Sequence, residues 1–158
     1  RMSHVRDERL HGPDPADSTY EALGGESTGD STWVGTHHDA IWRLVDTRWV
    51  FPDEAAATAW LAGRARWHTE GLPRRPGLPG AGDEALVFSG ARGGWFFGLE
   101  SPQIVHLFRV GRTVCKLHAI AGPDAPRQVT PEQMRDLALR VAERVRTALP
   151  PLPLLPTR

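Results

Sequence analysis

Apolar residues recur with two different spacings along this chain, and the switches between them mark its elements. In "AIWRLVDTRWVF", residues 40–51, Ile41, Val45, Trp49 and Phe51 fall on alternate positions with Arg43 and Thr47 between them. That is the period of a strand, and Pro52, which cannot donate to a ladder, ends it. Asp53 then reads as the N-cap of a helix in "EAAATAWLAGRARWHTEG", where Ala56, Ala57, Trp60, Leu61, Arg64 and Trp67 form one stripe and Gly71 is the stop. The next stretch, "LPRRPGLPGAGD", has no period and reads as a loop. "EALVFSG" predicts a short strand. In the connection "ARGGWFFGLESPQ" that follows it, Trp95, Phe96 and Phe97 form a brief strand or a loop tip.

A hairpin comes next. "IVHLFRV" and "TVCKLHAI" flank Gly111-Arg112, and glycine at the first central position suits a two-residue turn of the type that matches strand twist. This turn sets Val110 opposite Thr113, Phe108 opposite Cys115 and His106 opposite Leu117. One side then collects Ile104, His106, Phe108, Val110, Thr113, Cys115, Leu117 and Ala119, which by composition is the core face and buries the thiol. The other collects Val105, Leu107, Arg109, Val114, Lys116, His118 and Ile120.

The last helix opens at "TPEQ", with Thr130 at the N-cap, Pro131 at the first helical position and Gln133 positioned to close a capping box. Met134, Leu137, Ala138, Val141, Val145, Ala148 and Leu149 line one stripe, and Pro150 stops it. The order is strand, helix, strand, hairpin, helix, with no internal repeat. Two amphipathic helices need an apolar sheet face to cover, which predicts an α+β fold, a two-layer sandwich whose mostly antiparallel sheet is covered on one face by two helices. Residues 1–35 are polar and aperiodic and read as an extended or flexible N-terminal arm, with Tyr20, Leu23 and Trp33 as its docking side chains. Residues 36–149 form a single α+β domain, and the Pro-rich tail 150–158 favours polyproline II.

Composition narrows the function. The 158 residues carry nineteen basic and nineteen acidic side chains, so no net field draws the chain to nucleic acid or to an anionic membrane. Lys116 is the one lysine beside eighteen arginines, and there is no asparagine. That usage reads as a high-GC genome, and an actinobacterial source would fit. No apolar run reaches the length of a membrane span. The start at Arg1-Met2 reads as a trimmed terminus.

Catalytic and metal patterns are weak. His37-His38-Asp39, His68, His106 and His118 lack the spacing of a metal site, so neither metal nor cofactor is expected. Cys115, mid-strand on the core face, lacks the exposed electropositive setting of a nucleophile. No GxSxG, GxGxxG or P-loop occurs. The aromatics carry more. Three adjacent aromatics on a strand cannot all enter one core, so part of the Trp95, Phe96, Phe97 triplet must meet solvent, a cover or a partner. The expectation is therefore a non-enzymatic binding, sensing or accessory module, whose ligand- or partner-binding residues are Trp95, Phe96, Phe97, His106 and His118. The alternatives are a small enzyme using His106 or His118 with Asp83 or Glu84, and a structural subunit of a homo- or hetero-oligomer.

The segments "VFPDEAAATAWL", "GDEALVF", "VHLFRVGRTVCKL" and "TPEQMRDLALRVAERVRTAL" together resemble actinobacterial cell-envelope lipoproteins and sensor domains, such as the extracellular sensor domain of mycobacterial serine/threonine kinases. The match covers about residues 50–149. It implies a binding or sensing module and an extracytoplasmic location, with a cytoplasmic one if the resemblance fails. The chain departs from those kinase domains, which carry disulfides, because Cys115 has no partner cysteine. The likeness involves framework positions, so no ligand residue is carried over from it.

Overall fold

A computed structural model describes residues 3–5, 23–35, 39–68, 72–78, 80–96, 99–122 and 124–148. Their strands are β1 (Ser3–Val5), β2 (Glu26–Val34), β3 (Arg43–Val50), β4 (Glu84–Phe96), β5 (Leu99–Val110) and β6 (Thr113–Ile120), and their helices are α1 (Glu54–His68) and α2 (Pro131–Ala148). The strands form one antiparallel sheet in the order β1-β2-β3-β6-β5-β4. The class is α+β, with both helices packed on the sheet.

Local chemistry explains where the helices begin. Asp53 Oδ1 accepts from the Ala56 backbone N–H at 2.8 Å, which satisfies one of the orphan donors of the first turn of α1. At α2 the Gln133 N–H donates to Thr130 Oγ1 at 3.3 Å and the Thr130 N–H donates to Gln133 Oε1 at 3.0 Å, a closed capping box. The β5–β6 turn sits at Gly111 with φ of 55°, a left-handed value that favours glycine. The pairs Val110↔Thr113, Phe108↔Cys115 and His106↔Leu117 follow.

The two helices do not share a face. Met134, Ala138, Val141, Ala142 and Val145 of α2 pack with Ile104, Phe108, Val110, Cys115, Leu117 and Ala119. Ala57, Trp60 and Leu61 of α1 pack with Trp49, Leu86, Phe88, Val105, Leu107 and Val114. Neighbours along β5 and β6 thus enter different clusters, and because side chains alternate across a sheet, the helices lie on opposite sides of it. The expected two-layer arrangement is corrected to a sheet with a helix on each face. The reason is visible in "IVHLFRV": Val105 and Leu107 are as apolar as Ile104 and Phe108, and a strand apolar on both alternations needs cover on both sides. Ile41 also differs from expectation, packing beside the α2 cluster rather than with Trp49.

The sheet begins earlier in the chain than residue 36. Residues 26–34 are extended, as expected of an arm, but β2 pairs along its length with β3 and carries β1 outside it. Ser, Thr and Gly make it a poor apolar strand, and β3 supplies the ladder that holds it. Residues 6–22, including Tyr20, the pair His37-His38, and the tail 149–158 lie outside the described residues.

On the α1 side, aromatic rings fill the layer. The Trp49 and Trp60 centroids are 4.7 Å apart and Phe51 lies 5.7 Å from Trp60. Arg64 sits 5.0 Å over the Trp60 ring and Lys116 5.5 Å over Trp49, so two cations flank the tilted pair of indoles.

At one end of the sheet Arg109 ties four elements together. Its Nε and Nη2 donate to Glu84 Oε1 at 3.2 and 3.0 Å, and its Nη1 donates to the Gly111 carbonyl at 2.7 Å and to Glu54 Oε2 at 3.4 Å. Asp83 joins from the loop, accepting from the Gly111 N–H at 2.7 Å and from Arg146 of α2 at 3.5 Å. Gly82 packs against this point with φ of +76°, where a Cβ would fall 2.2 Å from the Arg109 carbonyl oxygen.

Cys115 is fully buried on the α2 side. Burial, with Asp46 adding to it, pushes its thiol up to about 12 from 9.0. The thiolate fraction near neutral pH is then about a thousandfold below that of an ordinary cysteine. A thiol reagent should leave the folded protein unlabelled over the time in which it fully labels the denatured chain. Rapid labelling of the native state would place the sulfur at the surface.

Candidate functional site

The β4–β5 hairpin is longer than its neighbours. Ile120, the last residue of β6, pairs with Gln103 of β5, whereas β4 and β5 continue to pair as far as Phe96↔Leu99. The hairpin therefore projects beyond β6 by four residues of β5, about 13 Å at strand rise. The backbone places Trp95 and Phe96 near its tip, after an irregularity in register between Arg92 and Phe96. The connection expected around the triplet is thus largely strand. Phe97 lies outside the described residues. On its outer edge β4 is met by the segment at Arg74, where the Arg75 N–H donates to the Val87 carbonyl at 2.8 Å and the Ser89 N–H to that of Pro73 at 3.2 Å.

The base of the hairpin on the α1 side is polar. Register puts Arg43, Ile120, Gln103 and Gly90 in one row across this face and Thr32, Val45, His118, Val105 and Phe88 in the next. Gln103 and Arg43 are 3% and 6% exposed. The His118 Nε2–H donates to Gln103 Oε1 at 2.9 Å, and since a carboxamide oxygen can only accept, this bond puts the ring proton on Nε2. The Gln103 Nε2 is buried without a hydrogen-bond partner. Ser101, the next residue of β5 on this face, is also buried.

The two histidines named from the sequence are on opposite sides of the sheet. His118 shares the α1 face with Gln103. His106 pairs with Leu117 and Val87 under α2 and is 1% exposed. Both of its ring nitrogens lack a hydrogen-bond partner, and burial pushes its pKa down to about 4. It is a core side chain and does not belong to a binding surface. Asp83 and Glu84 do not meet either histidine, since they are engaged with Arg109, Gly111 and Thr58 at the other end of β4. Among the described residues no three His, Cys, Asp or Glu side chains are grouped closely enough to hold a metal ion.

Gln103 and Arg43 escaped the sequence reading, although a signal existed. The register that pairs Val110 with Thr113 also pairs Gln103 with Ile120, one diagonal from His118, so an amide on the face of Val105 and Leu107 was a polar break in an apolar column.

No family model matches the chain, and no curated protein matches it. Among solved structures it is similar to the extracellular domain of PknH from Mycobacterium tuberculosis, with a TM-score of 0.55 and 12% identity over 93% of this chain and 83% of that chain. At that identity the likeness is one of fold. Among the described residues no helix is long and apolar enough to cross a membrane.

Proposed function

We propose that this domain is a non-enzymatic binding or sensing module that meets its ligand or partner at the β4–β5 hairpin and acts outside the cytoplasm. The observation that carries the reading is the hairpin itself, which reaches past the rest of the sheet with Trp95 and Phe96 near its tip. A segment with neighbours on fewer sides has little core to fill, and aromatic side chains there suit recognition. The fold shared with an extracellular domain supports the location. The separation of His106, His118, Asp83 and Glu84 disfavours the acid–base alternative.

The test uses the immobilised domain and an extract of the cell envelope, followed by direct binding of whatever is retained. A Trp95→Ala/Phe97→Ala variant that keeps its circular dichroism and melting temperature should lose most of that binding, about tenfold or more in Kd. Equal affinity of variant and wild type for every retained partner would remove the hairpin from the reading.

A further inference from the structure

We infer that α2 is an acid-released cover: protonation of His106, whose ring the helix seals against the sheet, frees α2 while the strands beneath stay paired. The ring is 1% exposed, and neither of its nitrogens has a hydrogen-bond partner. It stands on β5 between Ile104 and Phe108, with Val87 and Leu117 opposite it on the neighbouring strands. An imidazolium in this place would meet no anion. From β3, Asp46 shares the row but stands two strands away, about 10 Å at strand spacing, and Arg48 takes both its oxygens at 3.1 and 2.7 Å. From β6, Cys115 keeps its proton, since burial pushes its thiol up to about 12. β4 brings Ala85, Val87 and Ser89 to this side, none of them charged. Asp83, in the loop before β4, is held by the Gly111 N–H and by Arg146. From α2, Arg135 is half-buried with its Nε unpaired, and the other charged side chains of the helix are exposed, as are Asp124 and Arg127 in the loop before it. The new charge can therefore be satisfied only by water, which reaches the ring when the cover leaves.

Topology makes α2 the element that can leave. It is the last of the described elements, so no strand has to move with it, whereas α1 is strung between β3 and β4. Its hold on the sheet is an apolar stripe ending in the Arg146–Asp83 pair, 3.5 Å long and half-open to water. Its departure bares one face, while the ladders and the Trp49, Trp60 and Phe88 cluster on the other face remain. Such an opening needs less free energy than unfolding the domain. Lifting the helix returns the ring to its ordinary pKa of 6.5, from about 4 when covered. The closed state is thus favoured in full above pH 6.5, and this preference is lost as the pH falls toward 4. At pH 5 the released fraction should stand about thirtyfold above its value at pH 7.5.

Cys115, buried in the cluster that α2 covers, reports the opening. The whole chain is treated between pH 7.5 and pH 5 with an aromatic disulfide that still reacts with thiols in mild acid. Each rate is divided by that of the denatured chain at the same pH, which removes the titration of the thiol itself. Hydrogen exchange read by mass spectrometry follows the backbone in parallel. The normalised rate at Cys115 should rise about thirtyfold on going to pH 5, and the protection factors of α2 should fall by the same factor. Those of β3 and β6 should stay as they are. His106→Leu should hold all of these quantities level, and if that variant fails to fold, His106→Gln offers a side chain that does not titrate. No rise at Cys115, a rise that persists in the variant, or loss of protection in β3 and β6 together with α2 would each overturn the inference.

Discussion

Replacing His106 by Leu is expected to stabilise the protein and to flatten its response to mild acid. The imidazole is 1% exposed, both nitrogens lack partners, and its pKa is lowered to about 4 from 6.5 by burial. The unfolded chain therefore takes up a proton below about pH 6.5 that the folded protein refuses. Stability from this group is fully present above pH 6.5 and is lost as the pH falls toward 4, a shift that amounts to about 3 kcal/mol. Leu has a similar volume and needs no hydrogen bond, so removing the unmet polar atoms adds about 1–3 kcal/mol even at neutral pH. Denaturant unfolding of both proteins at several pH values between 7.5 and 4 checks this. Ordinary carboxylates titrate in both, so the difference between the curves isolates the histidine. Asp46, paired with Arg48 at 2.7 Å, occupies the same row of this face with Leu117 between it and His106. Parallel curves for the two proteins would mean that the ring finds a proton acceptor in the folded state.

Arg109→Met should be the most damaging substitution at the opposite end of the sheet, with a loss of about 2–4 kcal/mol. The guanidinium is 9% exposed and reaches Glu84, Glu54 and Asp83 at 3.0, 3.4 and 3.5 Å. Those carboxylates are 42%, 68% and 39% exposed, so water recovers part of their solvation and holds the loss below that of a fully buried pair. Methionine preserves the length of the side chain and isolates the charge and its hydrogen bonds. Arg109→Lys should recover less than half of the loss, because an ammonium cannot serve Glu84 and the Gly111 carbonyl with one planar fork. A melting temperature of Arg109→Met within a degree or so of wild type would show the network to be ornamental.

Much of the fold was legible because its signals are local. Asp53 and Thr130 announce the starts of α1 and α2 through side-chain bonds that close within three residues. Gly111 sets the register of β5 against β6. The side on which α1 lies was not legible by this route. It depends on which column of β5 an apolar stripe meets, and the run from Ile104 to Phe108 offers both, a continuity that goes with cover on two sides. Strand β2 was obscured because Ser, Thr and Gly give it no apolar period, and pairing to β3 makes it a strand. The site was half legible. Residue type singles out His118 and the aromatic triplet as candidates, whereas Gln103 and Arg43 stand out only from the row they share. His106 misled because a histidine among apolar residues looks the same in sequence whether it meets a ligand or fills a core.

The innermost pairing of the sheet joins β3 to β6, with Arg43 opposite Ile120 and Val50 opposite Thr113, so it closes across more than sixty residues. Closing a loop that long must be offset before any cross-strand contact rewards it. On the ribosome, β2 and β3 can pair with each other early, but the free edge of β3 must wait for its other partner until residue 120 has left the exit tunnel, and α2 can seat only after that. Maturation of this domain is therefore a late, concerted event, and chains halted before β6 would expose the Trp49 column to chaperones and proteases.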